Sequence, residues 1–322
     1  MRTLKPALTA LVFAMIAAPA LAQIPKTSDG KPDLNGFWSN ASLTPLARAP
    51  SVKTLVVNED EAHKLAAGVA MAGVTEEGFK GATYSDPNKG APPKGGKDFG
   101  VQAYDSFWMD PGARLAIVKG EWRTSNIVEP ANGQIPFIDP AGQAKRRVLN
   151  RERYETGNAA YHGPEETTLS ERCLIGFTGA GGPGMLNTIY NNNYQIVQTR
   201  DAVMILVEMV HDARIIPIAA SKAEARHRPA VIKPWLGDSV GWWEGDTLVV
   251  ETVNVNSEQA AQGQVILSDQ GKLMERFSRA SDGQILYEFA VEDPVYYTQT
   301  WRAEMSLNKR EESVYEYACH EG

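Results

Sequence analysis

The chain of 322 residues carries 32 Lys and Arg against 39 Asp and Glu, for a formal net charge of −7, and only two cysteines. That balance leaves no basic tail or stripe, which argues against nucleic acid as a partner. The length allows one large domain or two modest ones.

Arg2 and Lys5 precede an apolar run over residues 7–21, and Ala20-Leu21-Ala22 before Gln23 has the small-x-small pattern of a signal-peptidase site. Residues 1–22 are therefore read as a signal peptide. The run is short for a bilayer span and no later segment is long enough to cross one, so the mature chain is expected to be periplasmic or secreted with no integral membrane segment. Loss of Arg2 and Lys5, with no acidic residue in the segment, takes the net charge from −7 to −9. In an oxidising compartment Cys173 and Cys319 are expected to form a disulfide. A metal site using Cys319 and His320, or a catalytic thiol, is the weaker reading, because neither cysteine has C-x-x-C spacing.

Residues 23–165 read as an irregular, partly helical segment. A turn-rich stretch over 28–38 leads into one short strand. A helix is expected over 59–72, with Asn58 as N-cap and Glu61 at the capping-box position. Glycine and proline make 87–100 a loop. Asp139-Pro140 supplies an N-cap and a first-turn proline for a charged helix to about residue 153, whose Lys145, Arg146, Arg147, Arg151 and Arg153 read as a solvated face.

Residues 166–322 read as a mainly β domain of about nine short antiparallel strands: 194–198, 203–207, 213–218, 239–243, 247–253, 273–278, 285–291, 297–305 and 314–318. A meander of this size closes most economically into a lipocalin-like barrel, with a β-sandwich as the alternative.

The stretch 205–256 concentrates histidines, tryptophans, carboxylates and arginines on neighbouring strands. Strict alternation places His211 on the apolar face with Val207 and Met209, where an imidazole serves either as a hydrogen-bonded core residue or as a general base or acid. The same alternation puts Glu208, Asp212 and Arg214 on the opposite face. Asp238, just before a strand, is expected to orient His211. An inward Glu275 needs a cation, and Arg214 is the chosen partner. His211, Asp238, Arg214 and Glu275 thus form the expected catalytic set.

Trp242 and Trp243 point to opposite faces, one for the core and one for a ligand. With Tyr194, Arg276 and His227 they make the expected substrate-binding set. The histidines lack the local pairing of a metal site, and neither a Walker loop nor a strand-coupled G-x-G-x-x-G is present, so no metal and no cofactor is expected. The absence of G-x-S-x-G lowers an α/β-hydrolase reading.

The segments Asp29-Gly30-Lys31-Pro32-Asp33-Leu34-x-Gly36-x-Trp38, Arg123-Thr124-Ser125-x-Ile127-Val128, Trp243-Glu244-Gly245-Asp246-Thr247-Leu248-Val249-Val250 and Tyr315-Glu316-Tyr317-Ala318-Cys319-His320-Glu321-Gly322 resemble a family of exported, largely uncharacterised bacterial proteins abundant in acidobacteria and sphingomonads. The resemblance implies export but brings no activity or catalytic residues. From the residues themselves, the expected function is a periplasmic, cofactor-independent lyase or isomerase acting on a small amphiphilic or aromatic substrate. The alternative is a non-catalytic, lipocalin-like binder of small molecules.

Overall fold

The computed structural model describes residues 24–69, 110–144, 169–176, 179–256, 259 and 264–319. The expected signal peptide, the loop at 87–100, most of the charged helix after residue 144, and His162 and His320 lie outside the described residues.

The chain is mainly β. Its principal sheet orders its strands β8-β7-β6-β1-β13-β12-β11-β10-β9, with β5 attached to β13, and its strand pairs are antiparallel. The strands are β1 (Gly36–Ser39), β5 (Ile127–Glu129), β6 (Asn193–Gln198), β7 (Ala202–Val207), β8 (Ala213–Pro217), β9 (Asp238–Glu244), β10 (Thr247–Val253), β11 (Lys272–Ser281), β12 (Gln284–Glu292) and β13 (Trp301–Arg310). Most follow from alternating β-branched or aromatic residues bounded by short turns, such as the one where Gly245 takes φ 61 between β9 and β10. Two blocks of sequential hairpins, β6 to β8 and β9 to β13, are joined by β1, which pairs with β6 on one side and β13 on the other. The sheet therefore draws on both halves of the chain. Its two terminal strands also meet: Ile218, just past β8, bridges Gly241 of β9 in parallel, and Ala219 N–H donates to Gly241 O at 2.8 Å. A Cβ on Gly241 would lie 2.9 Å from Ile218 Cδ1, so glycine is what lets the two edges approach.

One face of this sheet holds the main core, including Trp38, Phe277, Tyr287, Phe289 and Trp301. The glycine-rich segment 179–188 packs into that core through Ala180, Met185 and Leu186, all buried. The reverse face of β13 is covered by a small sheet of β2 (Val56–Val57), β4 (Glu121–Arg123) and β3 (Ile117–Val118). Arg123 and Lys119 both reach Glu304 of β13, at 3.2 and 2.8 Å. Helix α1 (Glu59–Ala67) packs on this layer; Asn58 caps it by accepting from the Glu61 N–H, and the helix ends at Gly68.

Two expected strands differ. The strand placed at 297–305 begins only at Trp301, because Asp293 gathers the preceding residues into a turn, accepting from Val295 N–H with its carboxylate and from Tyr297 N–H with its carbonyl. The strand placed at 314–318 does not form. Residues 311–319 instead run irregularly across the end of the sheet to Cys319, bonded to Cys173 with 5.8 Å between Cα atoms.

Candidate functional site

The reversal between β7 and β8 departs most from simple alternation. Val207 N–H donates to Asp212 O, and the residues between them close into a single 3₁₀ turn over Met209–His211. Val210 has φ 62 and His211 φ 48, two successive non-glycine residues in the left-handed region, the first of them β-branched. This is the physical reason that His211 leaves the apolar face expected for it: the turn rotates its ring outward, and the residue is exposed. His211 Nδ1 lies 3.3 Å from Tyr317 O of the C-terminal segment. Glu208, buried at the start of the turn, accepts from Asn193 Nδ2 at 2.6 Å and from Tyr315 N–H at 3.4 Å. The turn is thus held between the Asn193 region and a strap that the disulfide fastens.

Asp212 returns to extended geometry at φ −67 and ψ 139, so it shares a face with Arg214 two residues on. It is half-buried, and its Oδ2 is buried with no hydrogen-bond partner among the described residues. Desolvation pushes its carboxyl up from 3.8 to about 6, with the nearby His211 opposing the shift.

Arg214 and Glu275 do meet. Their bidentate pair, at 2.9 and 2.6 Å, is buried within the core. Arg214 Nη2 also donates to Ser239 Oγ and Thr252 Oγ1, and Tyr287 OH donates to Glu275 Oε1 at 2.7 Å. Burial lowers the Arg214 guanidinium, but Glu275 beside it outweighs that and the net shift is upward. The Tyr287 hydroxyl is held far above its ordinary value, first by burial and then by Glu275. Among the described residues only the Arg214 Nε of this network is left unpaired. The glycine-rich segment lies against this pair: a Cβ on Gly182 would sit 3.2 Å from Arg214 Nη1.

Asp238 does not reach His211. It accepts at Oδ2 from His227 Nδ1 at 3.0 Å and from Arg228 N–H at 2.7 Å. The other ring nitrogen of His227 faces Glu251 Oε1 at 3.2 Å. This clasp pins the long connection 219–237 onto the reverse face of β9 and β10. Asp238 therefore orients His227 rather than His211, because alternation points it away from Ser239 and Arg214.

The expected binding residues are dispersed. Trp242 and Trp243 do point to opposite faces: Trp243 packs against the main core, whereas Trp242 lies on the reverse face, its Nε1 donating to Glu244 at 3.0 Å. Arg276 is paired with the same Glu244 at 3.0 Å on the surface, and the Trp242 hydrogen bond, followed by Arg276, lowers the Glu244 carboxyl. Tyr194 is buried, its hydroxyl donating to Ala180 O and accepting from Asn40 Nδ2. The principal cleft is small, about 30 Å³, lined by Gly176, Gly181, Gly182, Leu236, Val255 and Gln259 among others.

Sequence reasoning missed Glu251, Tyr287, Ser239 and Thr252 as partners. Ser239 and Thr252 sit opposite each other across β9 and β10, which alternation and the short turn between the strands make legible. Tyr287 carries no comparable signal. Among the described residues no three of His, Cys, Asp and Glu are gathered as ligands for a metal ion, and no helix is long and apolar enough to cross a membrane. Compared with family models, curated proteins and solved structures, the chain finds no match in any of the three.

Proposed function

We propose that the protein is an exported enzyme, braced by its disulfide, that moves protons with the Asp212 carboxylate at the turn between β7 and β8. The principal sheet is inferred to curl into a lipocalin-like barrel, a reading supported by the bridge between its two end strands. The observation that carries the function is Asp212 itself: a carboxyl raised to about 6, with one oxygen buried and unpartnered, next to an exposed histidine on strained backbone. A carboxylate of that basicity both accepts and returns a proton near neutral pH, and perturbed carboxylates and strained residues concentrate at working sites.

In this reading Asp212 takes a proton from a carbon beside a carbonyl, and the electron pair moves onto the carbonyl oxygen. His211, close to the same position and free to approach from solvent, balances the developing charge. Return of the proton to a different carbon gives an isomerase; expulsion of a leaving group from the next carbon gives a lyase. Arg214 and Glu275 are positioning residues that fix the strand from which Asp212 projects.

The test is deuterium exchange. The protein is incubated in heavy water with a panel of small carbonyl and carboxylic compounds, and label uptake is read by mass spectrometry. Wild type should exchange at least one compound, and Asp212→Asn should lower that rate by about 10² to 10⁴. If wild type exchanges nothing faster than Asp212→Asn, the reading is wrong. A non-catalytic small-molecule binder is the second reading; it requires that Asp212→Asn bind a ligand as well as wild type does.

A further inference from the structure

The connection 219–237 carries a feature unrelated to the chemistry at Asp212. Val231 is 87% exposed and Ile232 45% exposed, side by side at its outermost point. Two adjacent aliphatic residues at a tip have no packing role there. They are not displayed on a loose loop, either. Ile232 N–H donates to Pro229 O at 2.8 Å, which closes the tip as a tight turn, and Pro229 and Pro234 bracket it. Below the tip, His227 is clamped between Asp238 and Glu251, Arg228 N–H donates to Asp238, Asn254 Nδ2 donates to Arg228 O, and Lys233 pairs with Asp269 at 2.6 Å. The molecule therefore spends six polar contacts to hold an apolar point away from its surface.

The connection itself is cationic in sequence within an acidic chain. Residues 222–234 contain Lys222, Arg226, Arg228 and Lys233 against Glu224 alone, a sum of +3 within a chain of −7. The carboxylates facing the connection offset that charge at its base, Asp238 pairing with Arg228 at 3.7 Å and with His227, Glu251 with His227, and Asp269 with Lys233. Arg226 has no carboxylate partner among the described residues; its guanidinium donates to Ala223 O and Ala225 O, which fixes it in place. Arg228 keeps a side chain that is 63% exposed.

A rigid aliphatic tip preceded in the chain by Arg226 and the exposed Arg228 is complementary to a bilayer with anionic headgroups: the aliphatic pair enters the headgroup boundary and the arginines meet phosphates. We propose that the 222–234 connection is a docking point by which this acidic protein sits on an anionic lipid surface. A polyanion such as nucleic acid would use the cations but not Val231 and Ile232, and an acidic protein partner would not need a lipid.

The experiment is flotation of the mature chain, residues 23–322, with vesicles of phosphatidylcholine containing phosphatidylglycerol, against vesicles of phosphatidylcholine alone, at low and at physiological salt. Wild type is expected to float with the anionic vesicles, less so as salt rises, and to remain behind with the neutral ones. Val231→Asp/Ile232→Asp should bind the anionic vesicles more than roughly tenfold more weakly, and Arg226→Glu several-fold more weakly. Both variants change exposed side chains, and an unchanged unfolding midpoint verifies that the fold is intact. The proposal is overturned if wild type does not float with anionic vesicles, if it floats equally with neutral ones, or if the double aspartate variant binds as wild type does.

Discussion

Replacing Asp212 by asparagine should stabilise the protein, and by an amount that depends on pH in a defined way. The carboxyl is raised from 3.8 to about 6 by partial burial. A raised carboxyl means that the folded chain binds the proton more tightly than the unfolded one. The stabilisation from that proton is complete below 3.8, is lost as pH rises from 3.8 through about 6, and is gone above it. Converted in full, a shift of this size corresponds to about 3 kcal/mol, and partial exposure of the side chain reduces it to about 1 to 2 kcal/mol. Asparagine has no charge to desolvate, so above pH 6 the variant should be more stable than wild type by that margin. With a urea dependence of about 3 kcal/mol/M, the midpoint moves up by about 0.3 to 0.7 M. Urea titrations followed by tryptophan fluorescence at pH 3, 5 and 8, with the disulfide intact, give the comparison directly. The reasoning fails if the variant is no more stable than wild type at pH 8, or if an equal gap persists at pH 3, where both side chains are neutral.

Three further outcomes are expected. At the buried pair, Glu275→Gln or Arg214→Met alone should cost about 3 to 5 kcal/mol by stranding the other charge, while Arg214→Met/Glu275→Leu together should recover most of that loss in the same urea assay. His211→Gly should raise stability by about 1 kcal/mol, because an exposed residue at φ 48 gives up the left-handed penalty and loses no packing; calorimetry would show a higher midpoint, and a lower one would locate the strain elsewhere. Reducing Cys173–Cys319, which spans 146 residues, should cost about 5 kcal/mol in the chain-entropy account. It should also speed amide exchange at Tyr315, whose N–H faces Glu208; unchanged exchange there would mean that the strap does not depend on the disulfide.

The strands were legible where side chains alternate over six or more residues between short turns, as in β6, β7 and β9 to β12. The Arg214–Glu275 pairing was legible for the same reason, since an inward carboxylate in an apolar strand demands a cation. What escaped was set by contacts between distant segments. β1 lies between β6 and β13, an insertion that no local pattern in residues 36–39 announces. His211 was misplaced because alternation was carried through a reversal whose two left-handed residues, Val210 and His211, are not the glycine or asparagine that would have marked it. Asp238 was given to His211 although a second histidine, His227, lies nearer in sequence within the connection that folds back over Asp238. A tail read as a strand became a strap because its cysteine is bound to Cys173, beyond the reach of strand propensity.

The two buried polar groups on β8 and its approach differ in a way that bears on function. Arg214 has one charge partner, the tyrosine-buttressed carboxylate of Glu275, and two hydroxyls, and among the described residues only its Nε is unspent. Such a network orders the core and resists change, because altering any member strands the rest. Asp212, on the same face two residues nearer the turn, is desolvated without receiving a hydrogen bond at Oδ2 in return. A fold that satisfies one charge so fully and leaves its neighbour unsatisfied has placed a cost where packing gains nothing from it. Costs of that kind persist at sites where a ligand completes the bonding. That contrast, more than the presence of histidine or arginine in the stretch, is why the chemistry is assigned to Asp212 and the architecture to Arg214.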